Sequence, residues 1–411
     1  MRPELMELLA LIERAEREDM SLVDAGADAL RAALACGPRP EEDAAARDER
    51  YMGAAVALAC ASTGATYPNP CVGAVVVQAG QVVGAGHSAA TGGPHAEVRA
   101  LAQAGPLARG ATIYITLEPC SHHGRTPPCT DALLAAGVAE VVFGARDLAR
   151  HAAGRGAAIL AAAGVRVREG VGQTACAAVH EHYLHHERSR RPFVTLKAAT
   201  SLDGRIAASS GDSKWITGEP ARRVGHWLRA RHHAIAVGAD TVLRDDPRLD
   251  VRLVRGVNPV PVIVDSRLRT TQAATWPQAL RPGAIALHTE HAPEDRQQAA
   301  LAAGVQLIAV EADEHGRVAV PVALEALGRL SIRSLLVEGG GHLLASFVAA
   351  AAWDRWYWFQ APRLLGDGAP VLPGLSWSAV ARSPRVGIEL RTCVGADELL
   401  VLQPEPPRSD P

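Results

Sequence analysis

Hydrophobic positions recur along this chain at two spacings, one suited to strands and one to helices, and the two alternate. Met52 to Cys60 reads as a helix, and Gly73 to Val77 and Gln81 to Gly86 read as a strand pair about a glycine turn. His95 to Ala104 reads as a second helix, Thr112 to Leu117 as a buried strand, Cys129 as the opening of another helix, and Val138 to Gly144 as a further strand. An Ala-rich helix and the short strand Val165-Arg166-Val167 follow. This order predicts a three-layer α/β/α domain over residues 47–170. From Phe193 onward, β-branched runs at Phe193–Ala198, Ala234–Val237, Val260–Val264, Ala284–Leu287, Val305–Val310, Leu335–Val337 and Trp356–Gln360 alternate with helical segments. They predict a mostly parallel sheet flanked by helices over residues 191–405. No Gly-x-Gly-x-x-Gly follows a strand near the start of this half, which weighs against a Rossmann domain.

Two segments fall outside these patterns. Residues 1–46 are rich in Ala, Glu and Leu and read as a helical extension ending near Gly37-Pro38-Arg39-Pro40, for packing or oligomerisation in preference to a disordered tail. Residues 171–190 read as a connector, and the histidines between His180 and His186 as incidental members of a solvated helix face rather than a metal cluster.

Composition narrows the classes. The 411 residues are 48% hydrophobic and 21% charged, an ordinary globular balance with room for two or three cores. A net charge of −2 argues against a nucleic-acid partner. No apolar run is long enough to span a bilayer, and Met-Arg-Pro-Glu-Leu lacks a signal-peptide pattern. Seven cysteines, an odd number, suit a reducing cytoplasm better than a disulfide framework. A cytoplasmic homo-oligomer acting on small molecules, without a membrane partner, is expected.

The sharpest chemical signal is His95-Ala96-Glu97 followed by Pro119-Cys120 and Cys129. One imidazole and two thiolates suit one tetrahedral Zn²⁺ whose fourth position is left to water, and the metal lowers the pKa of that water. Glu97 then serves as the proton shuttle. His-x-Glu with Pro-Cys…Cys is the pattern of zinc-dependent nucleobase deaminases, although eight residues rather than two separate these cysteines. The alternative is a closed structural site with His122 or His123 as fourth ligand.

The stretch Leu117-Glu118-Pro119-Cys120-Ser121-His122-His123-Gly124-Arg125-Thr126-Pro127-Pro128-Cys129 resembles the deaminase half of the bifunctional deaminase/reductases of riboflavin biosynthesis. So do Pro68-Asn69-Pro70 with Val72-Gly73, and Gly93-Pro94-His95-Ala96-Glu97-Val98. In the second half, Arg191-Pro192-Phe193-Val194-Thr195-Leu196-Lys197, Ser201-Leu202-Asp203-Gly204-Arg205, Ser213-Lys214-Trp215-Ile216-Thr217-Gly218 and Val337-Glu338-Gly339-Gly340 resemble the reductase half. The resemblance spans roughly residues 47 to 405. It implies a cytidine-deaminase-like domain followed by a dihydrofolate-reductase-like domain. It also implies zinc-dependent hydrolytic deamination of a phosphoribosylated diaminopyrimidinone, then reduction of its ribosyl chain to ribityl by NADPH.

By the same resemblance, Asn69 binds the pyrimidine, although a plain Asx turn between prolines is the other reading of that residue. NADPH would contact Ala199, Trp215, Thr241, Asp245, Ser266 and the turn of Gly340, Gly341, His342, Leu343, Leu344, Ala345 and Ser346. The phosphorylated substrate would contact Lys197, Ser213, Arg229, Leu249, Arg252 and Glu338. Glycines before a helix suit a bound phosphate, and the arginines offer a planar fork of donors to one. Ser266-Arg267, after the Val260–Val264 strand, could receive the cofactor 2′-phosphate. Two positions depart from the family: Asp147 is followed by Leu148-Ala149 where Asp-Pro-Asn-Pro is common, and His232-His233-Ala234-Ile235 stands where Asp-Ala-Ile is frequent. Two other classes remain open: a nucleic-acid base deaminase with an unrelated C-terminal domain, and a non-catalytic zinc and nucleotide-binding scaffold.

Overall fold

The computed structural model describes residues 2–16, 25–37, 42–124, 126–149 and 152–405. Pro38-Arg39-Pro40 of the expected helix stop, and Arg125 of the cysteine loop, lie outside the described residues. The chain divides between Ser189 and Arg190 into two compact units, with the halves of the first helix grouped one to each.

The first unit contains α1 (Pro3–Glu16, in part), α2 (Ala25–Leu34), α3 (Ala44–Ala61), β1 (Gly73–Gln78), β2 (Gln81–His87), α4 (Ala96–Ala104), β3 (Thr112–Leu117), α5 (Cys129–Ala136), β4 (Glu140–Ala145), α6 (Arg155–Ala162), β5 (Arg166–Glu169), α7 (Gln173–Val179) and α8 (Glu181–Ser189). Its five strands run in the order β2-β1-β3-β4-β5. β1 is antiparallel to β2 and β3, whereas β3, β4 and β5 are parallel. Val75, Val76, Ile113, Ile115, Val141 and Val142 are all buried, because helices cover both faces of the sheet. α3 packs with α7 in one layer, and α4, α5 and α6 pack in series in the other. Close approach of α4 requires Gly86, where a Cβ would sit 2.6 Å from the Ala96 carbonyl oxygen. Asp43 starts α3 by accepting the Ala46 N–H at 2.7 Å.

α2, expected as part of a helical segment for packing or oligomerisation, packs on α3 and β2 and places Ala33 in the unit's core. One sequence expectation changes here. The 171–190 segment is not a solvated connector but the helices α7 and α8, with His180 and His186 buried and Tyr183 and Leu184 in the same core. Burial holds the His180 pKa down to about 3, so this imidazole is neutral.

The second unit contains β6 (Phe193–Ser201), β7 (Arg205–Ala207), α9 (Glu219–Arg231), β8 (Ala234–Gly238), α10 (Ala239–Asp245), β9 (Val260–Val264), β10 (Ile285–His288), α11 (Glu294–Ala302), β11 (Gln306–Ala309), α12 (Val320–Arg329), β12 (Ser334–Glu338), α13 (Gly341–Ala349), β13 (Arg355–Ala361), β14 (Ala369–Pro370), β15 (Val386–Val394) and β16 (Asp397–Pro404). The nine-stranded sheet runs β11-β10-β9-β8-β12-β6-β13-β16-β15. It is parallel from β11 to β13, and an antiparallel hairpin of β15 and β16 closes it. This is the dihydrofolate-reductase-like arrangement. The sequence reading stops at Gln360: β15 lies on the sheet edge and keeps Ile388 59% exposed, so no apolar run marks it, and the run Leu399 to Leu402 of the inner strand β16 is passed over. Among the described residues, no helix is long and apolar enough to cross a membrane.

Candidate active sites

The first site forms at one edge of the five-stranded sheet. β3 ends at Leu117 and runs into Glu118-Pro119-Cys120, while the N-terminus of α5 presents Cys129 and the extended residue before α4 presents His95. Their donor atoms lie within 4.8 Å of one another. His95 Nδ1 is 3.1 Å from Cys129 Sγ and 3.6 Å from Cys120 Sγ, and the Cys129 N–H donates to Cys120 Sγ at 3.3 Å. His95 Nε2 lies 3.3 Å from Thr126 Oγ1. A metal held on Nδ1 would leave the hydrogen on Nε2, where Thr126 Oγ1 stands ready to accept it. His122 and His123 are exposed and, among the described residues, do not join this donor cluster.

Glu97 sits in the first turn of α4, 3% exposed, and its Oε2 has no hydrogen-bond partner. A buried carboxylate oxygen without a partner is costly unless something occupies the space in front of it. Burial raises its pKa, and the charge of Cys120 adds to that. The thiol pair is divided: the hydrogen bond from Cys129 holds Cys120 down to about 4, and the same bond pushes Cys129 up. His95 is raised by its bond to Cys120. A soft donor set with a shared proton and an orphaned carboxylate fits a zinc ion.

Further loops reach the same edge. The Asn69 N–H donates to Thr66 O at 2.9 Å and Thr66 Oγ1 donates to Asn69 O at 3.1 Å, leaving the Asn69 side chain exposed. Asp147 is buried and accepts the Ala149 N–H at 2.8 Å. Glu118 accepts the Gly154 N–H at 3.0 Å and the Ala157 N–H at 3.3 Å, tying the cysteine loop to the start of α6. Thr126 and Glu118 were not singled out from sequence as functional. Their only signal is their place inside the cysteine motif.

The second site is a cleft of about 1240 Å³ within the second unit. All the residues that the resemblance assigns to cofactor and substrate there line it, except Ala345. Ala345 is buried on α13 and turns away from the cleft. The glycine turn is shaped by close approach: a Cβ on Gly341 would sit 2.6 Å from Pro373 Cδ and 2.7 Å from the Pro370 carbonyl oxygen. The Gly340 N–H donates to Thr241 Oγ1 at 3.1 Å, which joins the start of α13 to α10. Trp215 is 59% exposed, with the Arg222 guanidinium 4.6 Å above its ring. Ser266 Oγ accepts the Val318 N–H at 3.1 Å and so brings Arg267 and Arg317, both exposed, to the same end of the cleft.

At the substrate end, Glu338 lies beside Lys197 in the register of β12 on β6. Arg229 donates from Nε to Glu338 Oε1 at 2.9 Å, from Nη2 to Oε2 at 2.8 Å, and from Nη1 to Asp250 O at 3.1 Å. Its fork is therefore engaged by protein acceptors, which is a correction to the expectation of a free phosphate clamp. Burial opposes ionisation of Glu338, but Arg229, followed by Lys197, outweighs it and holds the carboxyl down to about 2. Burial lowers the Lys197 pKa, against the pull of Glu338. Burial, with Arg229 and Arg252 nearby, holds His226 down to about 4. Arg252 pairs with Asp250 while leaving its side chain 44% exposed. His226 went unrecognised in the sequence, although it stands three residues before Arg229 on α9.

Comparison with known proteins agrees with both halves. The model of the cytidine and deoxycytidylate deaminase zinc-binding region matches residues 45–145, and that of the RibD C-terminal domain matches residues 192–390. Riboflavin biosynthesis protein RibD of Escherichia coli is 40% identical over 373 residues, covering 87% of this chain and 99% of that one. The chain belongs to the RibD family. The RibD protein of Aquifex aeolicus is 39% identical over 333 residues, covering 79% of this chain and 89% of its own. The solved structure of Acinetobacter baumannii RibD, form 1, superposes with a TM-score of 0.80 at 34% identity, over 88% of this chain and 100% of that one. The deaminase/reductase of Thermotoga maritima gives a TM-score of 0.76 at 34% identity, with the same coverage. This chain is accordingly a bifunctional enzyme of riboflavin biosynthesis, with a deaminase and a reductase in one polypeptide. Neither a nucleic-acid base deaminase nor a scaffold is favoured.

Proposed function

We propose that the first unit removes the amino group of 2,5-diamino-6-(5-phosphoribosylamino)pyrimidin-4(3H)-one by hydrolysis, and that the second reduces the ribosyl chain of the product to ribityl with NADPH. The observation that carries the first assignment is the partnerless, buried Glu97 Oε2 beside three convergent metal donors. His95, Cys120 and Cys129 would hold one zinc per chain, and the ion when bound supplies a Lewis acid and a water of lowered pKa. Glu97 carries two protons in turn at Oε2, the first from water to the ring nitrogen and the second from the new hydroxyl to the amino group, which leaves as ammonia. Thr126 keeps His95 in the tautomer that turns Nδ1 to the metal. Asn69, exposed at the same edge, binds the pyrimidine.

In the second unit, the N-terminus of α13 and its glycines receive the cofactor phosphates, as Gly341 leaves room for nothing larger. NADPH supplies the hydride, and Trp215, Thr241, Asp245 and Ser266 orient it. Lys197 and Glu338 bind the sugar, Ser213 and Leu249 border it, and Arg252 takes its phosphate. Arg229 positions Glu338. A cytoplasmic homo-oligomer without a nucleic-acid partner accompanies this reading. The test is ammonia release from the diaminopyrimidine phosphate, with and without NADPH. Chelation should stop it, stoichiometric zinc should restore it, and NADPH should be oxidised only after deamination. Ammonia release that persists in a metal-free chain would overturn the reading.

A further inference from the structure

The end of the first unit carries histidines and a tyrosine that the chemistry above does not use. Between His180 and Tyr183 the chain reaches three of the elements around the zinc edge. His180 Nε2 lies 3.0 Å from Thr116 Oγ1, and that hydroxyl oxygen accepts the Gly73 N–H at 3.1 Å. His182 Nδ1 lies 2.8 Å from the Tyr67 hydroxyl. Tyr183 donates its hydroxyl to Asp147 Oδ1 at 2.9 Å. Thr116 precedes Cys120 on the strand that delivers it, Tyr67 precedes Pro68-Asn69-Pro70, and Asp147 follows β4.

The Tyr67 anchor continues toward the metal. The Thr91 hydroxyl faces the Thr66 and Tyr67 carbonyl oxygens at 2.9 and 2.7 Å, and Thr91 lies in the segment that ends at His95. The Tyr183 ring belongs to the unit's apolar core while its hydroxyl reaches the loop, so packing and tethering sit on different atoms.

We infer that His182 and Tyr183 are positioning residues of the deaminase: they hold the 67–70 and 147–149 loops in the arrangement that receives the aminopyrimidine. They act on substrate affinity, not on the proton transfers, because neither contacts Glu97 nor the metal donors. The inference rests on the deaminase reading above. In the full chain, His182→Ala should raise the deaminase KM about two- to tenfold, the effect of one neutral hydrogen bond, and Tyr183→Phe should raise it about tenfold or more, because its acceptor is the Asp147 carboxylate. Deaminase kcat, zinc content and reductase KM for the deaminated substrate should stay as in the unmodified chain. Tyr67→Phe combined with His182→Ala should cost less than the sum of the two single effects, since the two variants share one interaction. An unchanged KM in both single variants would overturn the inference. So would kcat falling together with zinc content, which marks general damage. If the unmodified chain releases no ammonia from the diaminopyrimidine phosphate, the deaminase reading fails and this inference with it.

Discussion

Arg229 and Glu338, 109 residues apart in the chain, meet as a two-pronged ion pair in the reductase cleft, with both hydrogen bonds below 3 Å. Only about 15% of either side chain is exposed, so the pair is largely shielded from water. Removing one partner of such a pair strands the other charge, which typically costs about 3–5 kcal/mol. Arg229→Ala should therefore destabilise the second unit by roughly that amount and release Glu338 from its ionised state. Arg252→Ala should act differently, because its guanidinium is half-exposed and its partner Asp250 also pairs with Arg248. There we expect a substrate KM raised roughly ten- to 150-fold, the effect of one charge-assisted contact, with little change in stability. Denaturation curves and steady-state reductase kinetics on both variants separate the two roles. Equal stability loss in both, or an unchanged KM in Arg252→Ala, would sink the assignment.

The same pair sets a pH dependence. The Glu338 carboxyl is depressed from its ordinary value of 4.5 to about 2 in the folded protein. A depressed acid contributes stability that is present above the unfolded value and lost as pH falls through the folded one. Stability of the second unit should thus decline between about pH 4.5 and 2. Glu338→Gln should be less stable near neutral pH yet flatter across that window. All seven tryptophans lie in the second unit, so intrinsic fluorescence follows it alone. An equal acid slope in the variant would show that other carboxylates carry the effect.

Glu97 offers the cleanest separation of the two activities. Glu97→Gln keeps the side chain's shape but cannot carry the proton, so deamination should fall by at least about 10²-fold. Zinc content should persist, since the metal donors are untouched, and reductase activity on deaminated substrate should be unchanged. Retained ammonia release would remove Glu97 from its role.

What the sequence made legible follows from locality. His95, Glu97, Cys120 and Cys129 fall on or beside the successive elements α4, β3 and α5, and their residue types admit few chemistries, so motif spacing was enough. The parallel strands were legible as continuous apolar runs, whereas β15, on the sheet edge and largely exposed, was not, and the apolar run Leu399 to Leu402 of β16 was overlooked. Pairings across long separations were also invisible. Nothing near Arg229 in the chain says that Glu338 occupies its fork, or that the Tyr183 hydroxyl reaches Asp147. The glycine turn before α13 was readable, but which face of α13 looks into the cleft is decided by packing, and Ala345 is buried away from the lining that its neighbours form. The histidines of 180–186 misled because periodicity reports polarity, and two of them are buried polar residues.

Gly341 tests the cofactor turn directly. A Cβ there would collide with Pro373 and with two backbone oxygens of Pro370 and Val371, at 2.6 to 2.9 Å, so Gly341→Ala must shift the start of α13. NADPH affinity should drop at least tenfold on the rule that about 1.4 kcal/mol is one decade, while deamination continues at its normal rate. Fluorescence titration with NADPH checks it. Unaltered binding would mean that the phosphates sit away from this helix.

The preference for NADPH over NADH should reside at the end of the cleft that carries Arg267 and Arg317. The bond from the Val318 N–H to Ser266 Oγ holds the two segments together, so two exposed arginines that line the cleft adjoin the bonded residues in the chain. A 2′-phosphate there would receive charge-assisted donors that the NADH hydroxyl cannot use. Because both arginines are exposed, the gain per contact belongs at the low end of the usual 1.5–3 kcal/mol, roughly tenfold each. Arg267→Ala and Arg317→Ala should each raise the NADPH KM by about that factor, leave the NADH KM where it was, and become less damaging as salt is raised. Steady-state kinetics with both cofactors at two ionic strengths decides the matter. If the double variant keeps its NADPH KM, the 2′-phosphate is bound elsewhere and the strand-end assignment at Ser266 is wrong.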